Sequence, residues 1–318
     1  MTVKILFHDN CFDGAASAAL FARFSRDRLD PPAPVRYLGV QHRPGDAFPP
    51  DAFDGDVNAC VDFRYSTSPR LDWWFDHHVS AFQAPGDRAH FEARRDGHTF
   101  YDPTARSCTK FEAGILADKF GFDAQPFAEL IDWADIIDGA QFADAETAVA
   151  LEAPALRLMT WIETNKDPAA TIRFIEDLQH RPIAGIAADA YIAGPLGPVL
   201  LRHQQAIGVI RDRARAHDGV VFFDLLDTGI EAHNKFIPYM LFPDCRYVLG
   251  LTRSPARVKI SVGSNPWSRE PRTHNLAAIC ERYGGGGHPV VGAISLPPAD
   301  LDRARTIATD IVRELALP

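Results

Sequence analysis

The sequence predicts an α/β fold, in which a parallel-sheet N-terminal domain with helices on both faces precedes a smaller, mixed α/β C-terminal domain. Two observations support this prediction. Short apolar runs alternate with polar loops and helical segments in the first half, and strand-like runs return after residue 219. A chain of 318 residues is long enough for two domains. We predict a first domain over residues 1–185, a helical linker over 186–218 and a second domain over 219–318.

Four apolar, β-rich runs predict the strands of the first domain. The first run, residues 3–7, is followed by a polar loop with Gly14 and an alanine-rich helix over residues 15–24, which is the opening half of a βαβ unit. The other runs cover residues 35–40, 57–61 and 73–75. In a parallel sheet, the carboxyl ends of these strands would meet at one edge.

Residues that often bind metals follow three of these runs. They are His8 and Asp13 after the first run, Asp62 after the third, and Asp76, His77 and His78 after the fourth. Neighbouring residues on a strand point to opposite faces, so one metal would face at most one of the two histidines unless the chain turns between them. The simpler alternatives are solvent-exposed histidines at a strand end and an aspartate that caps the next helix. The convergence of three strand ends favours a functional site.

Residues 104–180 carry apolar side chains at spacings of three and four. This pattern predicts helices over residues 108–120, 127–137, 147–165 and 169–178. Asp132, Asp135 and Asp138 recur at every third position and would share roughly one helix face. Their mutual repulsion indicates a nearby cation, and a solvated acidic face is the alternative.

The second domain is predicted to contain four strands and two helices. The strands cover residues 220–226, 247–252, 258–262 and 291–296, and the helices cover residues 275–282 and 301–315. Four consecutive glycines at 284–287 precede His288. Because glycine loses more backbone entropy than any other residue, this run indicates a requirement such as backbone amides that approach an anion. The run follows a helix, so it matches neither a Walker loop nor a dinucleotide-binding motif, and a flexible linker is the alternative.

The composition restricts the class of function. A net charge of −9 argues against a protein that coats long duplex DNA. A short anionic substrate bound in one local pocket is compatible with this charge. The five cysteines are scattered, without a CxxC pair, which fits a reducing cytoplasm. The sequence has no leader segment and no run of about 18 apolar residues, so we expect neither export nor a membrane span.

These motifs together resemble the DHH phosphoesterase family, in the branch with a DHH-associated C-terminal domain that includes oligoribonucleases and nano-RNases. The resemblance rests mainly on Asp76-His77-His78 and on GGGGHPVVG near the C-terminus. It also rests on His8, on Asp13-Gly14, on Asp62 and on one aspartate of WADIID, and it spans residues 8–292.

The resemblance implies two manganese ions in the first domain, with Mg²⁺ or Co²⁺ as alternatives. Carried over position by position, the metal ligands would be His8, Asp13, Asp62, His77 and Asp135, where Asp135 is chosen because ADII resembles the local pattern of the family. Asp76 would orient an imidazole, and His78 would contact the scissile phosphate or assist the leaving group. The substrate-binding residues would be Gly285, Gly286, Gly287 and His288. Apart from the resemblance, the polar stretch SVGSNPW upstream offers Asn265 as a further contact to the same anion.

The first motif departs from the family pattern of two aspartates separated by one residue. When Asp13-Gly14 is aligned, Cys11 occupies the slot of the first aspartate. Three interpretations are open: Asp9 substitutes from another backbone position, Cys11 is merely a neighbour, or one metal site is weakened. A thiolate ligand would favour softer metals.

The leading hypothesis is hydrolysis of a short oligonucleotide or dinucleotide to mononucleotides by a water that two metals activate. One alternative is a phosphoanhydride hydrolase that acts on pyrophosphate or polyphosphate. The other is a nucleotide-binding module without turnover. The oligomeric state is left open, and a homodimer is compatible with the sequence.

Overall fold

The computed structural model describes residues 1–28, 33–41, 48–94 and 96–317. It divides into two compact units: Met1–Phe142 with Glu152–Val199, and Ala143–Leu151 with Leu200–Pro318. The division after Val199 lies within the predicted linker over residues 186–218, inside a single long helix. Among the described residues, none of the helices combines the length and apolar character that crossing a membrane requires.

The first unit contains a parallel sheet, as the sequence predicts, with five strands in place of the four predicted. Its strands are β1 (Val3–His8), β2 (Val35–Val40), β3 (Val57–Val61), β4 (Trp73–Asp76) and β5 (Thr99–Tyr101). Their order in the sheet is β2-β1-β3-β4-β5, and every neighbouring pair is parallel. Sequence analysis missed β5, which has three residues and is only partly buried. The carboxyl ends of β1, β3 and β4 therefore lie side by side.

The helix after β1 packs tightly against the sheet. This helix, α1 (Phe12–Arg28), buries most of its alanine and phenylalanine side chains, and Phe21 and Phe24 contact Trp73 at ring-centroid distances of 5.6 and 5.4 Å. A Cβ on Gly14 would lie 2.2 Å from the carbonyl oxygen of His8. Glycine at this position lets the helix begin directly against the end of β1.

The remaining helices follow the predicted order, with two differences: the sequence pattern does not predict the helix over residues 87–93, and one predicted helix is divided. They are α2 (Asp87–Ala93), α3 (Cys108–Phe120), α4 (Ala128–Asp138), α5 (Ala145–Ala150), α6 (Pro154–Thr164), α7 (Pro168–Leu178), α8 (Ile183–Ala187) and α9 (Ala190–Arg213). The single helix predicted over residues 147–165 is wrong, because Leu151 adopts a left-handed conformation (φ 53°) and Pro154 opens a new helix. The break also separates α5, in the second unit, from α6, in the first.

The second unit is a mixed sheet with helices, which confirms the predicted fold class. Its elements are β6 (Arg215–His217), β7 (Val220–Asp224), α10 (Ile237–Leu241), β8 (Tyr247–Arg253), β9 (Val258–Ser264), α11 (Leu276–Glu281), β10 (Gly286–His288), β11 (Val291–Leu296) and α12 (Leu301–Leu315). The strand order is β10-β11-β9-β8-β7-β6, in which only β7 and β8 pair in parallel. The buried side of α12 packs against this sheet through Ile307 and Ile311.

Candidate metal centre

Asp62 is the central residue of a cluster at the carboxyl edge of the parallel sheet. It follows β3 in a left-handed conformation (φ 55°), which is unusual for aspartate, and its side chain is 1% exposed. Within the described part of the chain, neither carboxylate oxygen accepts a hydrogen bond. The nearest imidazole nitrogens, Nδ1 of His8 and Nε2 of His77, each lie 3.4 Å away. A buried carboxylate between two imidazoles is a suitable metal ligand.

Three groups of possible metal ligands lie around Asp62, and one of them consists of Asp62, His77 and His78. The ligand atoms of His8, Cys11 and Asp62, the first ligand group, all lie within 4.8 Å of one another. The ligand atoms of Asp13, His77 and Asp138, the second ligand group, meet the same limit. His77 links the groups, because its Nε2 lies 3.4 Å from Oδ1 of Asp62 and 3.4 Å from Oδ2 of Asp138. This arrangement fits two cations that share Asp62.

The loop between β1 and α1 supplies Cys11 and Asp13. Asn10 turns the chain with φ 57°, and Ala15 donates its N–H to the carbonyl of Cys11 at 3.1 Å. Asp9 faces elsewhere: its Cγ lies 2.8 Å from where a Cβ on Gly39 of β2 would be. Of the interpretations open for the first motif, the geometry therefore favours Cys11, and not Asp9, at the cluster.

Asp13 does cap a helix, although not α1, in whose first turn it lies. Its Oδ2 accepts the backbone N–H of Cys108 at 2.6 Å, and its Oδ1 accepts that of Thr109 at 3.0 Å. Both donors belong to the first turn of α3, where backbone N–H groups have no partner within the helix. The capping contacts fix the orientation of the Asp13 carboxylate beside His77, whose Nε2 lies 3.8 Å from Oδ2.

The Asp76-His77-His78 segment turns where β4 ends, so both imidazoles face Asp62. One carboxylate oxygen of Asp76 accepts the N–H of His77 at 2.8 Å and that of His78 at 3.2 Å, and it contacts Nδ1 of His78 at 2.7 Å. His77 donates from Nδ1 to the carbonyl of Ala105 at 3.0 Å. A carbonyl can only accept, so this contact places a proton on Nδ1 and directs Nε2 to the cluster. The opposite orientation expected for neighbouring histidines does not apply, because they follow the strand.

Asp135, predicted as the ligand from α4, does not join the cluster. Its Oδ2 accepts a hydrogen bond from Nζ of Lys110 at 2.7 Å, while Asp138 lies against His77. The two aspartates share roughly one face of α4, but Asp138 stands about 4.5 Å further along the helix axis. Only Asp138 therefore reaches the sheet edge, and we correct the predicted ligand from Asp135 to Asp138.

The pKa shifts in the cluster reflect several carboxylates buried close together. Burial raises the pKa of Asp13 well above its usual range, and the charges of Asp62 and Asp138 add to this effect. Burial and the charge of Asp62 likewise raise the pKa of Asp138. Burial opposes the charged form of His77, but the nearby carboxylates of Asp62 and Asp13 raise its pKa to about 10. Divalent cations would compensate these clustered charges.

Glu112 is a buried carboxyl group that sequence analysis did not single out. It lies on α3, is fully buried, and neither of its oxygens has a hydrogen-bond partner in the described residues. Burial raises its pKa well above the usual range, and the charges of Asp13 and Asp62 raise it further. The apolar spacing of α3 gave no signal for it, because a single glutamate on a helix usually faces solvent.

In the second unit, two of the predicted glycines have a steric role. A Cβ on Gly285 would lie 2.3 Å from the carbonyl oxygen of Ala293, and a Cβ on Gly287 would lie 2.2 Å from that of Val291. Both contacts arise because β10 pairs closely with β11. Gly286 differs from them, since a Cβ there would meet nothing within 4 Å.

The other two predicted substrate contacts differ in availability. His288 is exposed at the end of β10, which is an edge strand. Asn265 is 7% exposed; its Nδ2 donates to the carbonyls of Pro243 and Cys245, both at 2.9 Å, and its Oδ1 accepts from the N–H of Trp267. These internal bonds use the whole side chain of Asn265, so we correct its predicted role from substrate contact to loop stabilisation.

Solved structures share this architecture. The pGpG-specific phosphodiesterase PggH from Vibrio cholerae aligns over 99% of this chain and 100% of its own, with 19% identity and a TM-score of 0.71. An exopolyphosphatase-related protein from Bacteroides fragilis aligns over 99% and 92%, with 13% identity and a TM-score of 0.57. RecJ from Thermus thermophilus, in complex with Mn²⁺, aligns over 98% and 52%, with 13% identity and a TM-score of 0.53. No protein-family model and no curated protein sequence matches the chain.

A further similar structure, described as the DHH domain of PF0399, aligns over 99% of this chain and 87% of its own, with 12% identity and a TM-score of 0.59. The chain shares the two-domain α/β fold of these structures. The fold that the sequence resemblance implied is thereby confirmed. Identities of 12–19% establish the fold, and the chemistry has to be argued from the site.

Proposed function

We propose that this protein is a metal-dependent phosphodiesterase that hydrolyses short oligonucleotides or dinucleotides to mononucleotides. The observation that carries the proposal is the convergence of the two ligand groups on the buried carboxylate of Asp62. Mn²⁺ is the ion present in the similar RecJ structure, and mainly oxygen ligands suit Mn²⁺ or Mg²⁺. Divalent cations bound there would supply Lewis-acid activation of the phosphodiester and of the attacking water.

The chain's own residues hold and orient the reacting groups. Asp13, Asp62 and Asp138 supply carboxylates, and His8 and His77 supply imidazoles. The contacts of Asp13 to α3 and of His77 to Ala105 keep two of these ligands in place before substrate binds. A site that is already oriented loses little free energy to reorganisation during the reaction.

His78 is the proposed proton donor to the leaving oxygen. Burial opposes its charged form, but the hydrogen bond to Asp76 and the charge of Asp62 raise its pKa. The side chain is 27% exposed, so a bound phosphodiester can reach it. Asp76 engages Nδ1, which makes Nε2 the ring nitrogen that would hold the proton for transfer.

A short substrate is the better match for this chain. The net charge of −9 disfavours a long nucleic acid, and the pGpG-specific phosphodiesterase shares the fold over its full length. Within the second unit, we propose that Gly286 and His288 contribute to nucleotide binding, because both are open on the edge strand β10.

An assay of released products tests the proposal. Metal-free protein is supplied with Mn²⁺ and incubated with a linear dinucleotide, a five-nucleotide RNA, pyrophosphate or polyphosphate, and the products are separated by ion-exchange chromatography. We expect mononucleotides from the dinucleotide and from the RNA. The matched control is Asp62→Asn, which we expect to lower the rate by more than about 100-fold, since losing even an outer partner of a metal ligand often costs about 10–100-fold.

The phosphoanhydride alternative is kept because an exopolyphosphatase-related protein also shares the fold. Release of inorganic phosphate from polyphosphate, without cleavage of the dinucleotide, would establish this alternative in place of the phosphodiesterase. Nucleotide binding without turnover in Mn²⁺, Mg²⁺ or Co²⁺ would instead identify a binding module, and Asp62→Asn would then change no rate.

A further inference from the structure

The first ligand group offers one nitrogen, one sulfur and one oxygen donor. Its members are His8, Cys11 and Asp62, whereas the second ligand group pairs His77 with the carboxylates of Asp13 and Asp138. Thiolate and imidazole ligands select Zn²⁺ and similar ions, while carboxylates suit Mn²⁺ and Mg²⁺. Three protein ligands with one open position are typical of catalytic zinc. The two groups therefore differ in the metal that each would prefer.

We propose that Cys11 is a thiolate ligand that makes the first ligand group a Zn²⁺ site, beside a Mn²⁺ or Mg²⁺ site in the second. The inference rests on the proposed function only in treating both groups as metal sites. It assigns different ions to the two positions, so the centre is heterometallic.

The local backbone orients the side chain of Cys11 towards the cluster. The residue lies directly before α1, and the N–H of Gly14 donates a hydrogen bond to its side chain. Burial, followed by the charges of Asp62 and Asp13, raises the pKa of Cys11 well above its usual range, so a thiolate at this position requires a bound cation. The proposal therefore rests on the convergence of the sulfur of Cys11 with His8 and Asp62.

The buried carboxylate of Asp62 is an independent indication of a cation beside Cys11. Asp62 is 1% exposed, and within the described residues neither of its oxygens accepts a hydrogen bond. One oxygen lies 3.4 Å from Nδ1 of His8, the other member of the group. A neighbouring positive charge stabilises a buried carboxylate that lacks hydrogen bonds, and a cation held together with Cys11 and His8 would supply one.

Cobalt spectroscopy tests the proposal without an activity measurement. Protein freed of metal with a chelator is titrated with Co²⁺, which stands in for Zn²⁺, and a thiolate-to-cobalt charge-transfer band is followed in the near ultraviolet. We expect the band to saturate at about one equivalent of the bound ion. Zn²⁺ should displace the bound Co²⁺, and so remove the band, at concentrations at which Mn²⁺ does not.

The variants separate Cys11 from the other thiols. Cys11→Ser and Cys11→Asp should both lose the band, and Cys11→Ser should lower the affinity for Zn²⁺ by more than about 100-fold. Cys11→Asp restores the carboxylate of the family pattern, so it should bind Mn²⁺ at both positions. The matched control is Cys108→Ser, a fully buried position whose Sγ contacts the carbonyl of Phe75 at 3.4 Å and belongs to neither ligand group. This variant should retain the band.

Three outcomes would overturn the proposal: no charge-transfer band in the wild-type protein, an equal band in folded Cys11→Asp, or displacement by Mn²⁺ as readily as by Zn²⁺. Circular dichroism establishes that each variant is folded. Hydrolysis of a dinucleotide without the band would overturn the zinc assignment and leave the proposed function intact. A band that depends on Cys11, without hydrolysis of any substrate, would support the zinc assignment and overturn the proposed function.

Discussion

Asp138 and His77 meet at the edge of the parallel sheet, with 3.4 Å between Oδ2 of the aspartate and Nε2 of the imidazole. One residue ends α4 and the other follows β4, so the contact joins the helical layer to the carboxyl edge of the sheet. The same His77 nitrogen lies 3.4 Å from Oδ1 of Asp62. This relationship makes Asp138 the carboxylate of α4 that can share a cation with Asp62.

We expect Asp138→Asn and Asp135→Asn to differ sharply in activity. Asp138→Asn removes a charge from the second ligand group and should lower Mn²⁺ affinity and the rate by more than about 10-fold. Asp135→Asn removes the partner of the half-exposed Lys110 and leaves both ligand groups complete, so its metal affinity and rate should stay close to those of the wild type. Metal titration and dinucleotide hydrolysis, measured on both variants, check this difference. A rate loss confined to Asp135→Asn would contradict the assignment.

Asp76→Asn should lower kcat by about 10–100-fold and change its pH dependence. Burial opposes the charged form of His78, and Asp76 is the main partner that raises the pKa of His78. A proton donor is active only below its pKa, so the wild-type rate falls as pH rises through this value. Without the Asp76 carboxylate the pKa of His78 falls, and the alkaline limb of the kcat profile should move to lower pH.

The pH profile of Asp76→Asn has an internal control. His77 is oriented by the carbonyl of Ala105, so the bound metal content of the variant should stay close to that of the wild type. Elemental analysis after dialysis measures this content. An unchanged alkaline limb at full metal content would show that His78 is not the proton donor.

Alanine at the glycine motif should separate folding from substrate binding. Gly285→Ala and Gly287→Ala place a Cβ 2.3 and 2.2 Å from backbone oxygens, and such overpacking typically costs about 1–3 kcal/mol of the free energy of unfolding. The Cβ of Gly286→Ala would meet nothing within 4 Å, so this variant should have the melting temperature of the wild type. If Gly286 contacts nucleotide as proposed, its variant should instead raise KM. Thermal melts and steady-state kinetics on the three variants measure both effects.

Glu112→Gln should change the pH dependence of stability in the metal-free protein. Burial, followed by the charges of Asp13 and Asp62, raises the pKa of Glu112 in the folded state. At pH values below about 4, glutamate is protonated in both the folded and the unfolded state, so its ionisation does not lower the free energy of unfolding. As pH rises above this value, the unfolded state gains by releasing the proton, so Glu112 destabilises the fold increasingly until its folded pKa is reached.

Denaturant unfolding at several pH values measures this effect. The free energy of unfolding of Glu112→Gln should decrease less between pH 4 and pH 7 than that of the wild type. The comparison uses the change with pH in each protein, so a constant cost of the buried amide cancels. Parallel curves for the two proteins would contradict a buried, protonated Glu112.

The sequence determined the elements that depend on local patterns. The runs 35–40, 57–61, 108–120, 291–296 and 301–315 fold as predicted, because each carries an apolar pattern of strand or helix period bounded by polar or turn-forming residues. The motifs around His8, Asp13, Asp62 and His77 could also be recognised, since metal-binding residues at the ends of parallel strands must meet at one edge. The strands β5 and β10 have three residues each, which is too short to show an apolar pattern of strand period.

Only the tertiary structure decided which of several chemically equal side chains reach the site. Asp135 and Asp138 lie on roughly one helix face, and the position of α4 along the sheet places Asp138, and not Asp135, beside His77. The turn after β4 brings His77 and His78 to the same side, and the turn at Asn10 directs Cys11, and not Asp9, into the cluster. These choices depend on contacts between segments far apart in the chain, which no local periodicity encodes.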